Sequence, residues 1–170
     1  VALGKHRLYG REAGEERRTV ARMVAHPGYD PSTKDNDIML LQLLAPAAIS
    51  DRVRPIPVAS CLPRPGTSCL TSGWGATTSP EVTYPEVLQC VNVTLFSPAP
   101  GGHCGHCGVS PLSHLSLPCP QGDSGGPLVC GGLLQGIVSW GMERCGQPRR
   151  PGVYTKVCRY ARWIQETMGS

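Results

Sequence analysis

A serine bedded in glycines is the part of this chain best suited to chemistry: Gly122-Asp123-Ser124-Gly125-Gly126-Pro127. A serine hydroxyl is a weak nucleophile and attacks a carbonyl only when a neighbouring base takes its proton. The oxyanion that forms also needs donors, and backbone N–H groups supply them where the chain turns sharply. Glycines around the serine permit that turn without steric penalty. Six residues of this kind, flanked by strands and a cysteine, point to a nucleophile and not to a purely structural turn. A second group of interest is Asp37, whose carboxylate stands at the mouth of the apolar run Ile38-Met39-Leu40-Leu41. Taken alone, Asp37 reads equally well as a residue capping a strand or turn.

Other chemistries are less well supported. His103-Cys104-Gly105-His106-Cys107 has zinc-ligand residue types, but zinc sites are usually held by two separated ligand pairs on a rigid frame. Neither a metal nor another cofactor is expected. Asn92-Val93-Thr94 is an N-glycosylation sequon, although it falls inside an expected strand. The net charge of +4 is mild and scattered, and the pairs Arg17-Arg18 and Arg149-Arg150 read as solvated loop charges. No nucleic-acid partner follows from that pattern, and no apolar run is long enough to span a membrane.

The elements that must position these groups are mostly short strands. The chain of 170 residues suits one compact unit, rich in glycine and proline and poor in aromatics. Strands are expected at Thr19–Ala25, Asp37–Leu43, Ser68–Gly73, Leu88–Phe96, Leu128–Cys130, Leu133–Trp140 and Gly152–Val157. Gly131-Gly132 signals a hairpin between two of them. Tyr160, Ala161, Ile164 and Met168 recur at helical spacing, which predicts one terminal helix over Cys158–Met168. Ser97–Pro120 fits neither period and reads as a surface loop. Its end, Leu115-Ser116-Leu117-Pro118-Cys119-Pro120-Gln121, is also what a pyrimidine tract and splice acceptor give when translated. Residues 97–121 therefore read as translated intron in place of a true exon. Nine cysteines point to an oxidising compartment, where an odd number leaves at least one unpaired. The opening Val1-Ala2-Leu3-Gly4 has no initiating Met or leader, so a start further upstream is expected.

The chain resembles the chymotrypsin-like serine proteases, and within them the tissue kallikrein-related peptidases. The resemblance covers Val1 to about Phe96 and Gly122 to Met168. It is carried by Leu3-Gly4-Lys5-His6, His26-Pro27-Gly28-Tyr29, Asn36-Asp37-Ile38-Met39-Leu40-Leu41, Ser72-Gly73-Trp74-Gly75, the serine motif, Val138-Ser139-Trp140-Gly141 and Pro151-Gly152-Val153-Tyr154-Thr155. It implies an all-β fold, a double β-barrel with a C-terminal helix, here truncated at the start of the first barrel. Residues 1–46 would be the remnant of that barrel, 47–61 a linker, 62–156 the second barrel and 157–168 the helix. Ser124 would be the nucleophile and Asp37 the carboxylate that orients an imidazole. The N–H groups of Gly122 and Ser124 would form the oxyanion hole, and Asp123 would receive the ammonium of a newly cut N-terminus. Ser139, Trp140, Gly141 and Gly152 would line the substrate strand and specificity pocket. Cys61 would pair with Cys158, and Cys69 with Cys130.

Departures from the family pattern bear on activity. The family histidine sits before the point where this chain begins, and His6 and His26 match non-catalytic positions. His103, His106 and His114 lie in the atypical stretch. The pocket-base position, acidic in trypsin-like members, is Pro118, or Leu117 if aligned by cysteine. Cys90, Cys104, Cys107, Cys119 and Cys145 have no assigned partners. The implied function is a secreted, extracellular, monomeric serine endopeptidase that cleaves after Arg or Lys through an acyl-enzyme at Ser124. Its partners would be protein or peptide substrates and serine protease inhibitors. Without its histidine the chain is expected to be inactive. The alternatives are a non-catalytic pseudoprotease acting as a binding module, or a non-functional mis-spliced product.

Overall fold

The computed structural model describes residues 1–61, 63–76, 83–96, 106–111, 122–140 and 152–169. Ten strands lead to one short helix: β1 (Ala2–Leu3), β2 (Glu16–Arg17), β3 (Val20–Ala25), β4 (Met39–Leu43), β5 (Ser68–Gly73), β6 (Gln89–Phe96), β7 (His106–Pro111), β8 (Pro127–Cys130), β9 (Leu133–Trp140) and β10 (Gly152–Lys156). A 3₁₀ turn over Val157–Tyr160 then runs into α1 (Ala161–Met168). No helix among the described residues is long and apolar enough to cross a membrane.

Six strands close into an antiparallel barrel in the order β10-β7-β6-β5-β8-β9, with β9 returning to β10. Alternation makes its core. On β6, Val93 and Leu95 point inward, with Val91 packed beside them. They meet Cys69, Leu128, Cys130, Val138 and Tyr154 from the other strands. Within this core Cys69 and Cys130 form a disulfide, as the resemblance implies. Gly131 and Gly132 have φ of 57° and 79°, the left-handed pair that a two-residue hairpin between β8 and β9 requires.

The first 43 residues form two separate two-stranded sheets, β1-β2 and β3-β4. The segment between β1 and β2 is folded about Glu15, whose carboxylate is fully shielded and accepts bonds from Lys5 Nζ (3.3 Å) and Arg17 Nε (3.1 Å). Burial raises its pKa, but the bonds from Arg17, the Glu12 N–H and Lys5 outweigh that and hold it below the usual value. One side of the β3-β4 pair docks through Leu40, beside Ile38, onto Val157, Tyr160 and Ile164, with Leu134 and Ile137 adjoining. Its other side leaves Met23 and Met39 exposed at 69 % and 50 %.

Three expectations need correction. Residues 106–111 are not loop but β7, which pairs with β6 and β10 and closes the barrel. The ladder uses backbone groups that any non-proline residue supplies, so closure does not need a hydrophobic alternation. The terminal helix begins at Ala161, because the chain leaves β10 through a 3₁₀ turn. The bridge Cys61–Cys158 is not formed; both are free thiols, as is Cys90. The two thiols lie close enough to influence each other. Burial raises the Cys158 pKa first, Arg159 opposes this, and Cys61 adds to the rise. Cys61 sits on an exposed run with no described backbone hydrogen bond at Ser60 or Cys61 to fix it. A disulfide demands narrow Cβ geometry that such a run does not impose.

Candidate active site

Asp37 lies just before β4, not within it. The turn leading to it passes through Lys34 and Asn36 with φ of 61° and 53°, and Asn is among the residues that tolerate this left-handed backbone. Three hydroxyls from the far end of the chain then fix the segment. Tyr160 Oη donates to Asn36 Oδ1 at 3.2 Å, Thr155 Oγ1 to the Asp37 carbonyl at 2.9 Å, and Ser139 Oγ to Asp37 Oδ2 at 2.5 Å. The last is a charge-assisted bond of the short kind. It joins a carboxylate from the N-terminal sheets to β9 of the barrel.

Ser124 occupies the exposed turn 122–125 between Gly122 (φ 101°) and Gly125 (φ 85°). Both conformations are ones that side chains rarely adopt. Gly125 N–H donates to the Val138 carbonyl (2.8 Å) and Val138 N–H to the Gly126 carbonyl (2.9 Å). The serine turn is thereby fastened to β9 one residue before Ser139, the partner of Asp37. The Ser124 turn and Asp37 are thus both tied to the same end of β9. Among the described residues, the N–H groups of Gly122 and Ser124 donate to no protein acceptor. Asp123 turns the other way. Its Oδ1 accepts from Gly75 N–H at 2.6 Å, and its carboxylate lies so close to Gly73 and Gly75 that a Cβ at either would collide at 1.8 or 2.5 Å. Burial pushes its pKa up despite the bond from Gly75, and no described cation pairs with it.

A trypsin family model matches residues 1–164. The chain belongs to the trypsin family. Human kallikrein-14 is 52 % identical over 180 residues, a match that takes in 99 % of this chain and 65 % of that protein. Pig trypsin is 42 % identical, covering 100 % of this chain and 76 % of its own length. Mouse neuropsin, a serine protease expressed in the limbic system of the brain, superposes with a TM-score of 0.89 at 41 % identity, covering 98 % of this chain and 78 % of neuropsin. The chain therefore spans about two thirds of the length of the kallikreins it matches.

In this trypsin-family chain the two described histidines are engaged away from the serine turn. His26 Nδ1 accepts from Gly28 N–H at 3.1 Å, and its ring meets Tyr160 and Trp163 edge-on at 5.2 and 5.0 Å. His6 uses its carbonyl to accept from Trp74 Nε1 at 3.0 Å. Neither imidazole bonds to Asp37 or Ser124. Of the expected substrate-binding residues, Ser139 is placed on the Asp37 carboxylate, while the backbone of Trp140 closes β9 and that of Gly152 opens β10. Gly141, Leu117, Pro118, His103, Cys104, His114, Cys119 and Cys145 lie outside the described residues. His106 and Cys107 are in β7, and no described cluster of His, Cys, Asp or Glu is arranged to hold a metal. Two contributors escape a reading of the sequence. Thr155 carries no signal that its hydroxyl holds the Asp37 backbone. Gly73 and Gly75 are visible as a motif, but their role as the seat of Asp123 is apparent only once the two loops meet.

Proposed function

We propose that the chain carries the serine and carboxylate side of a kallikrein-type serine endopeptidase, which hydrolyses peptide bonds through an acyl-enzyme at Ser124. The observation that supports this most is the bond from Ser139 Oγ to Asp37 Oδ2, on the strand that also holds the Ser124 turn. In this reading Ser124 Oγ attacks the substrate carbonyl while the N–H groups of Gly122 and Ser124 receive the oxyanion. Asp37 orients an imidazole and stabilises its charge, with Ser139 holding the carboxylate in place. No described residue supplies that imidazole, so the 170-residue chain alone is proposed to be inactive. Asp123 awaits an ammonium that would neutralise it and set the oxyanion-hole turn. The domain reading follows the family: 1–46 to one barrel, 47–61 as linker, 62–156 to the second, 157–168 as helix. Secretion, a monomeric state, inhibitor binding and cleavage after Arg or Lys are likewise proposed from the kallikrein likeness.

The test compares this chain with a longer product that carries a histidine-bearing segment before Val1. Hydrolysis of Arg- and Lys-containing peptide amides and fluorophosphonate labelling of Ser124 are measured in both. The longer product is expected to turn over and to lose about 10⁶-fold in kcat on Ser124→Ala, with the 170-residue chain near that floor. A longer product that folds yet leaves Ser124 unlabelled would overturn the reading.

A further inference from the structure

The sequon Asn92-Val93-Thr94 lies on β6 and takes no part in the candidate active site. Val93 and Leu95 point into the barrel, which turns Asn92 and Thr94 to its outer wall. Asn92 is exposed and stands opposite Leu70 of β5, an apolar side chain left 42 % exposed. Thr94 is placed differently. Its Oγ1 is buried and has no hydrogen-bond partner among the described residues. A buried hydroxyl without a partner destabilises a fold, and valine, of nearly the same shape, would fill the position without that penalty. Among the described residues, the folded barrel thus makes no use of the one oxygen that a sequon requires.

We propose that Asn92 is an N-glycosylation site, and that the Thr94 hydroxyl is read in the unfolded chain before β6 enters the barrel. The donor is an oligosaccharide on a lipid pyrophosphate. The side-chain nitrogen of Asn92 attacks the anomeric carbon of the first sugar and a C–N bond forms. The bond from that carbon to the pyrophosphate oxygen breaks, the lipid pyrophosphate leaves with the electron pair, and one amide proton passes to solvent. The attached sugar stands on the outer wall over Leu70. This rests on the proposed secretory route only in that the donor is met there.

The full chain is made in secreting cells behind a borrowed leader and a tag with its own sequon. The leader makes the readout independent of whether the natural product is secreted, so a failure at Asn92 and a failure of that route are told apart. In molecules whose tag is glycosylated, a second glycan is expected at Asn92, removable by peptide-N-glycosidase. Asn92→Gln and Thr94→Val should abolish it, and Thr94→Ser should keep it. Thr94→Val, compared with wild type in glycan-free form, should unfold about 2–4 °C higher. An occupied tag with Asn92 bare would overturn the site. A Thr94→Val chain that melts lower than wild type would show that the hydroxyl serves the fold, and would overturn the argument from Thr94.

Discussion

The barrel and the N-terminal sheets stabilise themselves in opposite ways. The six strands of the barrel leave no unpaired edge within the closed ladder, and the Cys69–Cys130 disulfide lies in its core. The sheets β1-β2 and β3-β4 have two strands each, a size that is marginal alone in water. The β3-β4 pair persists by attachment: Ile38 and Leu40 pack against the 3₁₀ turn and α1, and three hydroxyls hold Asn36 and Asp37. The candidate site straddles this divide. Ser124 belongs to the self-supporting part and Asp37 to the attached part, so their alignment depends on docking as well as on either fold.

Perturbing each part should separate the two modes. The largest effect is expected from Cys69→Ala with Cys130→Ala. The bridge spans a separation of 61 residues, and its loss should lower global stability by about 4 kcal/mol in denaturant titration. Ile164→Ala removes a buried side chain from the docking cluster and should cost about 2–4 kcal/mol. Hydrogen exchange should then rise first in β3 and β4 while β6 and β8 stay protected; uniform loss would erase the distinction. Ser139→Ala deprives Asp37 of its hydroxyl donor and should cost about 1.5–3 kcal/mol, again felt first at residues 36–43.

The smallest effects concern acid and sharpen the contrast between two carboxylates. Asp123 has its pKa raised by burial, so the folded state holds that proton more tightly than the unfolded chain. Its contribution is full below the ordinary value of 3.8 and is lost as pH rises from there through the raised value. Asp123→Asn should therefore raise the melting temperature at pH 7 and converge with wild type near pH 3. Asp30, in the turn before Asp37, is held at about 2 by bonds from the Ser32 hydroxyl and N–H and from Thr33. Its contribution is present above the ordinary 3.8 and disappears as pH falls through about 2. Asp30→Asn should accordingly flatten only the acid limb of a stability–pH curve.

The barrel was largely legible because its strands announce themselves through side chains. Val91, Val93 and Leu95 alternate, and Gly131-Gly132 can hardly be anything but a tight turn. The serine turn was legible for a related reason, since glycine is the residue that such φ values require. What escaped was set by backbone or by distance. His106–Pro111 forms a strand through its peptide groups, with a composition that suggests none. β1 and β2 are two residues long and cannot display a period. The donors to Asp37 come from more than a hundred residues away in sequence, and nothing local marks Ser139 and Thr155 as its partners.

The exposed methionines turn the attached sheets into a chemical reporter. Met23, Met39 and Met168 are 69 %, 50 % and 76 % exposed, and no described methionine lies in the barrel core. Brief peroxide treatment should therefore convert all three to sulfoxides while the core is untouched. Any polypeptide laid over the outer face of β3 and β4 would shield Met23 and Met39 and leave Met168 on the tail as the internal standard. The ratio of sulfoxide at these positions, read by peptide mass, then records whether that face is covered, without any label being added.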